Sequence, residues 1–289
     1  MNRPVHIPQS IQSTSDIPLL SWEPGGDREP GSVMVASGIL GPRSWIVAGP
    51  QIATATERAC LTIPLPLLPI DPASEDVIAQ CAAATSSFVQ EFDPRILVGH
   101  AFAGPLLLAM MADDAIRPPG VTGLVLINSM LPVKMRQVPK FAGAVKGAMP
   151  EVPQGVEDDQ RARVELFLDT FVVRPDAISP DEREFLLDTP PNPPADADRI
   201  RELQKAVGAA TTRLAFGKGI SDLLKACPVP ITILMGDSDP LVPTFLADNL
   251  SGRGAISGVT VEVLKDCGQF GHIDAASDLA HATADLVNG

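Results

Sequence analysis

Short runs of apolar, β-branched residues alternate along the chain with longer segments in which apolar residues recur every three or four positions. The first pattern is typical of β-strands and the second of amphipathic helices. Most of the short runs are apolar at nearly every position, as expected of parallel strands that helices cover on both faces. The pattern therefore predicts a doubly wound α/β fold with a mostly parallel sheet. Six strands are predicted, at residues 32–36, 59–63, 96–98, 123–127, 231–235 and 259–264.

Three helices are predicted around this sheet. They span residues 74–92, 102–114 and 275–287, and the first two carry apolar residues at helical spacing. Residues 17–22 are expected to add an antiparallel edge strand.

The strand pattern stops at Ile127 and resumes only at Ile231. A gap of roughly 100 residues is too long for a structureless loop in a compact domain. It contains helical patterns at residues 156–172 and 196–216, separated by Pro-rich turns such as residues 189–194. We therefore predict a core of residues 1–131 and 223–289 and a helical lid of residues 132–222 over the strand ends.

Composition and charge exclude several classes of function. The net charge of −13 argues against a nucleic-acid partner, because binding phosphates requires clustered Lys and Arg. No run of about 18 apolar residues is present, so no membrane partner is expected, and the start of the chain lacks the features of a signal peptide. We expect a cytoplasmic protein with reduced cysteines and without a metal or cofactor, since no metal-ligand cluster or phosphate loop is visible. A homodimer is compatible with the sequence.

Four segments carry candidate chemistry. Residues 99–104 read Gly-His-Ala-Phe-Ala-Gly between a predicted strand and a predicted helix. Residues 236–243 and 266–274 follow two later strands and contain Asp239 and His272, and a Gly-containing loop lies at residues 36–45. Taken singly, the first segment could be an ordinary strand-to-helix turn, and Asp239 could be a turn residue or a helix cap.

Together these segments resemble the α/β-hydrolase fold superfamily, in particular its lid-bearing esterases. The resemblance covers the chain from about residue 32 to its end and implies an α/β-hydrolase fold. In that family a Gly-x-Ser-x-Gly turn presents a serine nucleophile, followed along the chain by an acid and a histidine base. This chain departs from the pattern with Ala101 at the nucleophile position and Ala103 at the last glycine. Residues 69–72 also lack a glycine-rich loop that many relatives show.

The resemblance implies a role for each candidate residue. Asp239 would be the acid and His272 the base, while His100 would pack beneath the turn. The backbone N–H groups of Phe102 and Ile39 would form the oxyanion hole, with Ser37 where many relatives have histidine. The expected substrate contacts are Gly38, Trp45 and Met135.

Three interpretations of Ala101 remain open from the sequence. The first is a serine hydrolase of a carboxylic ester, lactone or thioester of a small, largely apolar molecule, inactivated by an engineered serine-to-alanine change. The second is a non-catalytic homologue that binds such a molecule. The third is serine-independent catalysis by His272 and Asp239, similar to the cofactor-free dioxygenases of the fold. We favour the first, because losing one oxygen is the smallest change that abolishes acylation while Asp239 and His272 remain.

Overall fold

A single eight-stranded sheet organises the part of the chain that the computed structural model describes, namely residues 6–14, 17–26, 29–65, 70–148, 150, 160–188 and 197–289. The strands are β1 (Gln9–Gln12), β2 (Pro18–Trp22), β3 (Ser32–Ser37), β4 (Ala59–Ile63), β5 (Pro94–His100), β6 (Gly123–Ile127), β7 (Ile231–Gly236) and β8 (Val259–Leu264). Their spatial order is β1-β2-β4-β3-β5-β6-β7-β8. β1 pairs antiparallel with β2 and β2 with β4, whereas β3 to β8 pair in parallel. The predicted mostly parallel α/β sheet is confirmed.

The antiparallel strand expected at residues 17–22 forms as β2, but it does not lie at the edge of the sheet. β1 pairs with its outer side, with Gln9 opposite Ser21 and Gln12 opposite Pro18. β1 reads Gln-Ser-Ile-Gln and is largely exposed. A strand that buries so little apolar surface leaves no hydrophobic pattern in the sequence, and it was therefore not predicted.

Helices cover both faces of the sheet. They are α1 (Ala48–Thr56), α2 (Val77–Val89), α3 (Ala103–Ala112), α4 (Val138–Ala148), α5 (Gln160–Phe171), α6 (Pro180–Leu187), α7 (Ala197–Phe216), α8 (Gly219–Ala226), α9 (Gly271–Asp274) and α10 (Ala276–Asn288). α2 packs against α3 and α3 against α8, while α1 packs against α10. The sheet therefore lies between two helical layers.

Two apolar clusters fill the space between the sheet and these layers. Alternate residues of each central strand point to opposite clusters, which explains why the strands are apolar at almost every position. One cluster includes Leu97, Leu124 and Leu126 with Leu106 and Leu107 of α3. The other includes Val33, Val35, Val98 and Val125 with Ile52 of α1 and Leu279 of α10.

The long segment between β6 and β7 contains α4 to α8. The boundary predicted at residue 222 falls inside α8, which packs on α3 of the core. The predicted turn at residues 189–194 and the start of the helix predicted at residues 156–172 lie outside the described residues. Among the described residues, no helix combines the length and the apolarity that crossing a membrane requires.

Candidate active site

A sharp turn joins β5 to α3 at the position where the sequence predicts a nucleophile. β5 ends at His100, α3 begins at Ala103, and Ala101 between them has φ 54°. This left-handed conformation costs a residue with a Cβ about 1–2 kcal/mol, and surrounding structure must hold it in place. A hydrogen bond from Gly104 N to Ala101 O at 3.3 Å closes the turn.

Close packing around this turn requires glycine at two positions. A Cβ on Gly99 would lie 2.9 Å from Gly104 Cα, and a Cβ on Gly104 would collide with the hydroxyl of Ser129. That hydroxyl donates a hydrogen bond to Ala101 O at 2.9 Å. Ser129 therefore helps to hold the turn, and the turn pattern alone did not point to it.

The predicted oxyanion loop lies beside this turn, because β3 and β5 are neighbours in the sheet. Gly38 N–H donates to His100 O at 3.1 Å, and a Cβ on Gly38 would lie 2.7 Å from Phe102 N. The N–H of Ile39 points to the hydroxyl of Ser37 at 3.4 Å, a long contact. The structure thus brings the two predicted oxyanion donors, Phe102 and Ile39, onto adjacent loops, and the glycine between β3 and Ile39 permits the approach.

Asp239 follows β7 and is buried, with 5% of its surface exposed. Its Oδ1 accepts hydrogen bonds from Leu241 N at 2.8 Å and Val242 N at 3.0 Å. Its Oδ2 accepts one from Asn128 Nδ2 at 2.7 Å. Burial raises the pKa of Asp239 to about 6, because removal from water outweighs the three hydrogen bonds, which act to lower it.

His272 lies on α9 and is completely buried. Its imidazole ring lies between two other rings, with centroid distances of 4.6 Å to Trp45 and 4.4 Å to His100. Neither ring nitrogen of His272 has a hydrogen-bond partner among the described residues. Burial lowers its pKa well below 6.5, and the neighbouring His100 acts in the same direction. His272 is therefore a neutral imidazole at physiological pH.

The predicted acid and base are not hydrogen-bonded to each other among the described residues. Asp239 accepts hydrogen bonds from Asn128, Leu241 and Val242. The ring nitrogens of His272 donate none to it. In a working catalytic triad the acid accepts the imidazole N–H and so fixes its tautomer. In this conformation that coupling is missing, which the sequence pattern did not indicate.

His100 packs beneath the turn, next to His272. Its Nε2 lies 2.9 Å from Gln269 O, and its Nδ1 lies 3.3 Å from the hydroxyl of Ser37. Because a carbonyl oxygen only accepts, Nε2 carries the proton and Nδ1 accepts from Ser37. Burial lowers the pKa of His100 to about 4, so this imidazole is a poor base at neutral pH.

The expected substrate-contact residues fall into two groups. Gly38 and Trp45 lie at the site described above, and Trp45 is fully buried. Met135 begins a short 3-10 helix (Met135–Gln137), and 75% of its surface is exposed. Among the described residues, the structure does not bring Met135 to His272 or to Ala101.

Two polar contacts tie the segment between β6 and β7 to the loops of the site. The carboxylate of Asp274, two residues after His272, accepts hydrogen bonds from Val173 N and Arg174 N, as well as from Gly268 N. Arg43, in the loop after β3, donates to Phe185 O and to backbone and side-chain oxygens of Asp188. Both site loops are therefore anchored to this segment.

Comparisons with known proteins agree with this architecture. The model of the alpha/beta hydrolase family matches residues 31–282. No curated protein matches the chain. Among solved structures, the meta-cleavage product hydrolase of Pseudomonas fluorescens IP01, determined as a serine-to-alanine mutant complexed with acetates, is similar with a TM-score of 0.63 and 16% identity over 99% of each chain.

Two further solved structures show the same likeness. The thioesterase domain of the curacin biosynthetic pathway has a TM-score of 0.61 and 19% identity, covering 96% of this chain and 98% of that one. A thermophilic esterase from Thermogutta terrifontis has a TM-score of 0.57 and 17% identity, covering 97% of this chain and 98% of that one. At these identities the likeness concerns the fold.

Proposed function

Because the chain belongs to the alpha/beta hydrolase family, we propose that it carries a carboxylic-ester-hydrolase site whose nucleophile is replaced by Ala101. The chain would then bind ester-type molecules and leave them uncleaved. The observation that carries this proposal is the φ of 54° at Ala101. A strained turn of this kind aims its central side chain at a reacting atom, and here the turn is kept although an alanine gains nothing from it.

A serine at position 101 would supply the missing oxygen. Its proton would pass to His272 as its oxygen attacks the ester carbonyl, and the oxyanion would accept hydrogen bonds from Phe102 N–H and Ile39 N–H. The alcohol, thiol or ring oxygen would leave with that proton. Water activated by His272 would then release the acid. A methyl group has no lone pair, so none of these steps can begin in this chain.

The surroundings of His272 favour a small, largely apolar substrate. The rings of Trp45, Phe270 and His100 surround its imidazole, and the half-buried side chains of Ile39 and Phe102 follow on the neighbouring loops. We therefore propose an ester, lactone or thioester of an apolar acid. We also propose that residues 132–222 act as a lid, since α5, α6 and the turn after α5 lie against both site loops.

The test of this proposal is Ala101→Ser, assayed with p-nitrophenyl acetate, butyrate and octanoate. Ala103→Ser is the matched control, because it places the same hydroxyl two residues away at the start of α3. We expect Ala101→Ser to form an acyl-enzyme detectable by mass and to turn over about 10 to 100 times faster than the unaltered chain. This range follows because Ala101→Ser would lack only the support of its acid, whereas the unaltered chain lacks the nucleophile. Loss of the acid alone costs a serine hydrolase less activity than loss of the nucleophile. The gain should disappear in Ala101→Ser/His272→Ala.

A second candidate function is that of a non-catalytic binding protein in which Asp239 and His272 only stabilise the fold. The hydrogen bonds of Asp239 favour it, because three donors other than His272 occupy its carboxylate. Two results together would support this candidate. Ala101→Ser would fold but never be acylated, and the unaltered chain would bind ethyl butyrate in ligand-observed NMR. The absence of both acylation and binding would contradict the proposed function. Serine-independent catalysis is less favoured. It needs Asp239 to orient His272, and these two residues are not hydrogen-bonded to each other among the described residues.

A further inference from the structure

We propose that Asn128 is a positioning residue that holds the carboxylate of Asp239 out of hydrogen-bond contact with His272. The effect of Asn128 on the rate of acylation rests on the proposed function. Its effect on the hydrogen bonding of Asp239 and His272 does not. The inference implies that two features, Ala101 and Asn128, separate this chain from an efficient hydrolase.

Asn128 is held firmly at the carboxyl end of β6. It is completely buried, and its backbone has φ 45°. Its N–H donates to Leu234 O at 2.9 Å, and its carbonyl accepts from Gln269 Nε2 at 3.2 Å. Because both backbone groups are bonded and the conformation is unusual for a side-chain-bearing residue, the amide has a defined position.

The amide of Asn128 lies between the acid and the helix that carries the base. Nδ2 donates to Asp239 Oδ2 at 2.7 Å. The opposite amide orientation would place two acceptors together, so the charge of the carboxylate fixes this one. On its other side, Oδ1 packs against Gly271, where a Cβ would collide with it. Gly271 directly precedes His272, so the amide separates Asp239 from α9.

Both oxygens of Asp239 thereby accept hydrogen bonds from neutral donors. Oδ1 accepts from the N–H groups of Leu241 and Val242, and Oδ2 accepts from Asn128. His272 is left with two unpartnered nitrogens. An imidazole without an acceptor for its N–H has no fixed tautomer, and no carboxylate stabilises the imidazolium that forms during proton transfer. Disrupting this support in a serine protease costs roughly 10⁴-fold in turnover.

The kinetic test compares Ala101→Ser with Ala101→Ser/Asn128→Gly. Glycine suits the positive φ of residue 128 and removes the amide without adding strain. We expect the double variant to be acylated by p-nitrophenyl butyrate about 100-fold faster, within the roughly 10⁴-fold limit set by complete loss of the acid's support. Equal acylation rates in two variants that both react would overturn the proposal.

Asn249→Gly in the Ala101→Ser background is the matched control. Asn249 is also a buried asparagine, but it donates to Pro132 O and Gln137 Oε1, away from Asp239. This variant should leave the acylation rate unchanged. An equal acceleration by Asn249→Gly would show a general loosening of the fold and would overturn the specific role of Asn128.

A spectroscopic test needs no catalysis, and its first measurement uses the unaltered chain. In the unaltered chain with labelled histidine, we expect no strongly downfield N–H resonance from His272. Asn128→Gly should produce a downfield N–H resonance of His272 and raise the pKa of its imidazole. Adding Asp239→Asn to Asn128→Gly should remove that resonance. A downfield N–H in the unaltered chain that is lost in Asp239→Asn would overturn the proposal. If these shifts occur while Ala101→Ser remains unreactive, Asn128 keeps its positioning role and the proposed function fails alone.

Discussion

The indole ring of Trp45 lies against the imidazole ring of His272, with centroids 4.6 Å apart and planes inclined by 36°. His100 covers the ring from a second direction at 4.4 Å. The contact explains why His272 stays neutral, since aromatic neighbours replace the water that would stabilise an imidazolium. It also makes Trp45 a reporter of the charge on His272.

Tryptophan fluorescence should follow the protonation of His272. The chain has two tryptophans, so Trp22→Phe leaves Trp45 as the only source of the signal. A charged imidazole quenches an adjacent indole, and the pKa of His272 is held well below 6.5 by burial. We expect quenching on acidification with a midpoint well below pH 6.5, and its loss in Trp22→Phe/His272→Gln. A midpoint near 6.5 would show an imidazole open to water.

Asp239 should make the fold less stable as the pH rises. Its pKa is about 6 in the folded chain against 3.8 ordinarily, so the folded state favours the protonated carboxyl. Its stabilising contribution is complete below about pH 3.8 and is lost as the pH rises through about 6, a change of about 3 kcal/mol.

Urea unfolding of Asp239→Asn and the unaltered chain at several pH values measures this change. The variant cannot titrate at this position, so its free energy of unfolding should gain about 3 kcal/mol relative to the unaltered chain between about pH 3 and pH 8. A constant difference across the range would contradict the raised pKa of Asp239.

The central sheet could be predicted because its strands bury both faces. The strands β3 to β7 are marked by nearly continuous apolar runs, whereas β8 reads Val-Thr-Val-Glu-Val-Leu and is largely exposed. The predicted site loops follow four of these six strands. The carboxyl ends of parallel strands lie at one edge of a sheet, which places the loops of Ala101, Asp239 and His272 at the same edge. β1 could not be predicted in this way, because its polar, exposed residues carry no period.

The contacts within the site could not be predicted from local patterns. Asn128 bonds to Asp239, 111 positions away, and Gln269 bonds to Asn128 across 141 positions. One signal was available: Asn128 and Ser129 are polar residues that directly follow an apolar strand. Their partners depend on how the loops pack, which motif spacing does not specify. The missing Asp239–His272 bond is a consequence of that packing.

The carboxylate of Asp274 should contribute strongly to stability. It accepts hydrogen bonds from the N–H groups of Val173, Arg174 and Gly268, and it is almost fully buried. Asp274→Ala would leave these donors unpaired, so we expect a loss of about 3 kcal/mol in the free energy of unfolding. Asp278→Ala nearby should cost less than about 1 kcal/mol, because that side chain is exposed. Equal losses would show that Asp274 does not anchor the turn after α5.

The strain at Ala101 should be visible in a pair of alanine-to-glycine substitutions. At φ 54°, Ala101→Gly relieves about 1–2 kcal/mol of left-handed strain, which offsets the greater backbone entropy of glycine in the unfolded chain. We expect a change in the free energy of unfolding between zero and about 1 kcal/mol in the stabilising direction.

Ala109→Gly, inside α3, provides the matched comparison. There the backbone is helical, so glycine has no strain to relieve and should cost about 1 kcal/mol. The two variants remove the same methyl group from the same region, and chemical unfolding should therefore separate them by about 1–2 kcal/mol. If Ala101→Gly and Ala109→Gly lower the free energy of unfolding equally, the turn at Ala101 stores no strain. The φ of 54° at Ala101 would then no longer support the proposed hydrolase site.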